Sequence, residues 1–169
     1  MRGLGVVFAI VMCGCTDTSE SSRFAVPAGA HDVKHVALQP GVAVEDHFFL
    51  NEPFPGSSAI SHYERVFAEW RPCFWPERDW DVVPDSTVDP PRLLQRKVRY
   101  WAAPRNTEWV MVAIQYESPG LADRPVPARD EQQVVLVNRK SQDAISDLEL
   151  VGAKCEEAPN KSLERTREG

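Results

Sequence analysis

Apolar and polar positions alternate along this chain in ways that separate strands, a helix and connecting segments. Leu4 to Met12 is an unbroken apolar run of nine residues. Residues 16–31 are rich in Ser, Thr, Asp, Gly and Ala and show little periodicity, as in a flexible tether. Val33, Val36 and Leu38 predict a short strand over 32–40, and Pro40-Gly41 marks a turn. Val42, Val44 and the run His47-Phe48-Phe49-Leu50 predict a second extended segment. Ile60, Tyr63, Phe67 and Trp70 recur at three-, four- and three-residue steps, so they share one face of a helix. Ser57 or Ser58 can cap it, and Ser61 with Glu64 fits a capping box one turn later. Pro72 predicts its end near Trp70-Arg71, because the residue before proline disfavours the α region.

Prolines 72, 76, 84, 90 and 91 punctuate an irregular stretch over 72–91. Strict alternation then returns. Leu94, Arg96, Val98 and Tyr100 form one strand. Val110, Val112, Ile114 and Tyr116 form the next, with Pro104 to Thr107 as the turn. Trp109, Met111 and Ala113 make the other face of this second strand apolar too, as in a central strand covered on both sides. Residues 118–130 read as a Pro-rich loop and Gln132–Asn138 as a third strand. Ile145–Val151 fits either a last strand or a short helix. The expected fold class is α+β: one main helix on an antiparallel sheet of roughly three to five strands. The working domain is 32–155, and the polar segment 156–169 is a frayed tail.

The N-terminus has its own chemistry. Met1-Arg2-Gly3 is a minimal positive start, and nine apolar residues are too few to span a bilayer, which needs about 20. The run ends in Val11-Met12-Cys13-Gly14-Cys15. This arrangement resembles a bacterial lipoprotein signal, a likeness confined to residues 1–17. It implies cleavage after Gly14 and a diacylglyceryl thioether with an N-acyl chain on Cys15. More than one acyl chain anchors stably, whereas one does so only marginally. Such lipoproteins stay at the inner membrane when Asp follows the lipidated Cys. Here Thr16 follows and Asp17 comes one later, which implies the outer membrane, facing the periplasm. Residues 1–14 are then signal peptide, and 15–31 are the lipidated Cys with its tether.

Removing residues 1–14 takes away Arg2 and no acid, so the formal charge moves from −6 to −7. An acidic chain is a poor nucleic-acid ligand, since Lys and Arg on phosphates supply most of that affinity. Membrane contact is expected through the acyl chains. Two cysteines remain, Cys73 and Cys155. In an oxidising compartment they are expected to pair as a disulfide, the alternative being two separate buried thiols. Their spacing fits no zinc, CxxC or haem motif.

Candidate sites are sparse. His62 with Glu64, and His47 beside Asp46, offer a general base or metal ligand, set against surface or structural histidines. His31 and His35 are four apart, without an HExxH. Asp79, Asp81, Asp85 and Asp89 lack calcium-loop spacing. No metal and no cofactor is expected. Trp75, Trp80 and Trp101 suit stacking on sugar or anchoring a protein interface, set against simple core filling. Arg96, Lys97 and Arg99 are expected to pair across strands with Glu108 and Glu117. The resulting expectation is a lipid-anchored envelope protein acting as a non-enzymatic binding or assembly module, with an envelope protein or cell-wall partner. The alternative is a small envelope hydrolase or metal-dependent enzyme using His62, Glu64 and His47.

Overall fold

The computed structural model describes residues 24–75, 80–85, 92–118 and 130–157. An eight-stranded sheet with two short helices forms the body. The strands are β1 (His31–Gln39), β2 (Ala43–Leu50), β3 (Arg71–Phe74), β4 (Asp81–Asp85), β5 (Arg92–Ala102), β6 (Glu108–Ser118), β7 (Gln132–Lys140) and β8 (Lys154–Cys155). Helix α1 (Ser58–Val66) follows β2, and α2 (Ala144–Leu150) follows β7. The order across the sheet is β1-β2-β7-β6-β5-β3-β8, with β4 also on β5. Every pairing is antiparallel. The α+β class therefore holds, with a larger sheet and one more helix than the periodicity alone gives.

Local chemistry fixes the connections. Gly41 turns β1 into β2 with φ 69°, a left-handed conformation open to glycine. Asn106 does the same between β5 and β6 at φ 57°. Asn tolerates that region better than most residues. Helix α1 crosses one face of the sheet and lets β2 lie beside β7, which closes the early hairpin onto the late meander.

Alternation builds the main core on that face. Phe48 and Leu50 of β2, Val110, Val112 and Ile114 of β6, and Val134 and Leu136 of β7 pack under Ala59, Ile60, Tyr63 and Phe67. The predicted helix face is thus the buried one. Its end differs: α1 stops at Val66 with Phe67 as its C-cap. The chain then turns and pairs Arg71 with Ala102, so it is extended by the time it reaches Pro72. Its beginning differs as well. Ser57 makes no side-chain cap. Glu52 reaches over instead and accepts from Ser58 N at 3.1 Å and from Ser58 Oγ at 2.7 Å. A Cβ on Gly56 would clash with that same Glu52 side chain.

The opposite face is covered unevenly. Ala144 and Leu148 of α2 pack with Cys73, Tyr100, Ala102 and Ala153 at one end. Beyond them, Ala113, Val135 and Val137 are buried among Val98, Trp109 and Met111. Strand β6 is apolar on both sides for this reason. Two segments depart from their sequence expectation. The stretch 72–91 contains β3 and β4, which lie one after the other along the same side of β5. Each is too short and too proline-marked to alternate visibly. The segment before β1 is not all tether: Phe24 packs edge-on against Phe67 at 4.8 Å, and Val26 joins the same core.

Candidate functional site

Strand β2 turns Asp46, Phe48 and Leu50 inward, and all three are buried. A carboxylate therefore occupies a position where the pattern calls for an apolar side chain. Register places His35 of β1 directly across from Asp46. The ring Nδ1 donates to Asp46 Oδ1 at 2.6 Å. Asp46 is 0% exposed, whereas the His35 side chain is 32% exposed. From above, α1 presents the Tyr63 hydroxyl, which is fully buried. Burial raises the Tyr63 pKa, and the negative charge of Asp46 raises it further. Asp46 Oδ2, Tyr63 Oη and the nearby Asn138 Nδ2 are buried without a hydrogen-bond partner. Helix α1 and strand β2 thus each bring a buried polar group into the core, and the part-exposed His35 of edge strand β1 reaches the second of them.

A second buried polar group, Gln132, is satisfied through its amide nitrogen, while its Oε1 is buried without a partner. Gln132 Nε2 donates to Tyr116 Oη at 2.6 Å and to Gly56 O at 3.0 Å. The Tyr116 hydroxyl donates in turn to Gly56 O at 3.1 Å. Burial pushes the Tyr116 pKa up to about 12, the Gln132 hydrogen bond opposing and Glu52 adding to the rise. This network pins the loop that delivers Glu52 to α1.

The residues singled out by sequence do not gather in one place. His47 points to the face opposite α1, where it pairs with Glu45 and lies across from Val135. His62 sits on α1 and donates from Nε2 to Ala25 O at 3.2 Å. Glu64 is exposed on the same helix. Trp101 is buried against Phe67. Trp80 packs on Phe54 at 5.1 Å and on Tyr116, with Lys97 Nζ 5.8 Å from its ring. Trp75 lies across the sheet with Tyr100, its Nε1 donating to Val151 O at 3.0 Å. The three tryptophans therefore occupy both faces and form no shared platform.

Cys73 and Cys155 are direct cross-strand partners on β3 and β8 and form a disulfide, with Cα atoms 3.9 Å apart. In register, Arg96 lies across from Asp81 and Glu108 across from Lys140. His31 contacts Asp32 at 3.1 Å. Cys15, the signal segment, Asp79 and Asp89 lie outside the described residues. Among the described residues no group of three or more His, Cys, Asp or Glu side chains is arranged to hold a metal ion. No helix among them is long and apolar enough to cross a membrane.

The His35–Asp46 pair escaped sequence reasoning, which joined Asp46 to its neighbour His47. The available signal was period two: Asp46 shares its parity with Phe48 and Leu50, whereas His47 does not. Comparison with protein families, with curated proteins and with solved structures finds no significant match.

Proposed function

We propose that this chain is a lipid-anchored cell-envelope protein that binds or helps assemble an envelope partner and does not catalyse a reaction. Lipid on Cys15 holds it at the outer membrane, facing the periplasm, and the partner is an envelope protein or wall component. One observation carries the binding role. Strand β1 is nine residues long and exposed over nearly its whole length, and among the described residues nothing pairs with its outer side. Val33, Val36 and Leu38 are 38%, 43% and 52% exposed along it. An edge strand offers unpaired N–H and C=O groups, and strand addition by an extended peptide uses such an edge. Two register irregularities and Lys34 interrupt β1, which favours a selective partner over indiscriminate sheet growth.

The paired cysteines suit an oxidising compartment. The scattering of His62, Glu64 and His47 supports binding over hydrolysis, since a general base must lie within hydrogen-bond reach of its proton donor. Two measurements test the proposal. Cys15→Ala should abolish incorporation of labelled fatty acid and release the protein from the membrane fraction; continued labelling contradicts the anchor. Val36→Glu with Leu38→Glu should lose an envelope partner that copurifies with the wild-type chain; full retention contradicts the β1 assignment.

A further inference from the structure

The open edge carries charges of opposite sign at its two ends. At the start of β1, His31 contacts Asp32 at 3.1 Å and Glu131 at 3.8 Å. At the other end Gln39 lies across from Ala43, and Ala43 from Arg139, with Lys140 next along β7. Arg139 and Lys140 are both exposed. Between these ends, Lys34 to Ala37 pairs residue for residue with β2, and the register shifts on either side. In that regular stretch Lys34 lies across from His47 and Val36 across from Glu45, so all four share the face opposite α1. Glu45 pairs with His47. Lys34 is exposed and makes no ion pair among the described residues.

We propose that the partner of this edge is a second copy of the chain, paired antiparallel with β1 about a two-fold axis at His35. The proposal rests on the reading of β1 as an edge open to strand addition, and names what is added. Charge selects the direction. An antiparallel pair brings residue 31 of each copy level with residue 39 of the other. The Asp32 and Glu131 end of one copy then lies beside the Arg139 and Lys140 end of its partner. A parallel pair would set like ends together, which opposes encounter. Charge also selects the register. With His35 on the axis, Lys34 is level with the partner's Val36, and the partner's Glu45 comes next in the same row. Two strand spacings make about 10 Å, within the combined reach of a Lys and a Glu side chain. The lysine stem covers the partner's Val36, which is 43% exposed in the single chain. Two-fold symmetry makes each contact twice. The assembly closes at two copies, because the opposite edge ends in β8, only two residues long and bonded through Cys155 to β3.

Dividing the two charge changes between copies tests the pairing. Two full-length chains with different epitope tags, each with a photo-crosslinking amino acid at Val36, are coexpressed and irradiated in intact cells. The wild-type pair should give an adduct of twice the chain mass that carries both tags. Lys34→Glu in both copies, or Glu45→Lys in both, sets like charges against each other and should cut that adduct at least about fivefold. Lys34→Glu in one copy with Glu45→Lys in the other restores opposite charges at both contacts, and the adduct should return. Contacts within one chain cannot produce that recovery, since neither chain carries both changes. An undiminished adduct in the like-charge pairs, or no recovery in the mixed pair, overturns the proposal. Should Glu45→Lys fail to fold, Lys34→Glu alone decides, and an undiminished adduct again overturns it. Capture of a different protein alone at position 36 refutes the second copy and leaves the open edge standing; no adduct of any kind removes both.

Discussion

The two edges of the sheet are built on opposite plans. At one edge β8 has only two residues, yet it is tied to β3 by a disulfide and flanked by α2. Asn106 reinforces that end: its Oδ1 accepts from Ile145 N at 2.8 Å and its Nδ2 donates to Asp143 Oδ1 at 2.6 Å. At the other edge β1 has nine residues, eight of them exposed, held by its ladder to β2 and by the His35–Asp46 contact. A short strand gains little from backbone pairing, so covalent and capping interactions replace it. A long strand is secured mainly by its ladder, and its outer side stays available. The sheet is closed at β8 and open at β1.

The largest expected effect spoils both edges together. Phe67 packs with Phe24, Tyr63, Trp70 and Trp101 in the core that every central strand shares. Phe67→Ala should cost about 3–5 kcal/mol, read as a fall in the denaturation midpoint. Amide exchange should then quicken at β1 and β8 alike. Replacing Cys73 and Cys155 by Ala should cost about 2–5 kcal/mol. Here the loss of exchange protection should concentrate in α2, β3 and β8 and spare β1. Equal loosening at both edges would break the contrast.

A milder perturbation uses pH. Asp143 caps α2, and its carboxyl is held below the usual carboxylate range by the Ser146 N–H, the Ser146 hydroxyl and the Asn106 amide. A depressed folded pKa means that the cap is fully present above the unfolded value, about 3.9, and is lost as pH falls through the lower folded value. The start of α2 should fray in that acidic window, seen as faster exchange at Ser146, and Asp143→Asn should blunt the dependence. The smallest effect belongs to β1: Val36→Ser or Leu38→Ser should change stability by less than about 0.5 kcal/mol, since both side chains already face solvent.

What sequence pattern reveals follows the same physical division. Strands β5, β6 and β7 are long and alternate cleanly, so their hydrophobic period survives in the letters. The α1 face is equally plain, because Ile60, Tyr63 and Phe67 all meet one core. Strands β3 and β4 stay hidden: four or five residues with a proline carry too little period, and only pairing with β5 makes them strands. The packing of Phe24 is invisible because it depends on Phe67 and Trp70, more than forty residues away. Asp46 was legible in parity but not in partner, since the register irregularities of β1 decide that His35 faces it.

A photo-crosslinking amino acid distinguishes the open edge from the closed one directly. Placed at Val36 on β1 and, in a second variant, at Glu149 on α2 beside the closed edge, it should be activated in intact cells. A discrete adduct from position 36 with none from position 149 is the predicted result. Adducts of equal yield from both positions, or from position 149 alone, would contradict it.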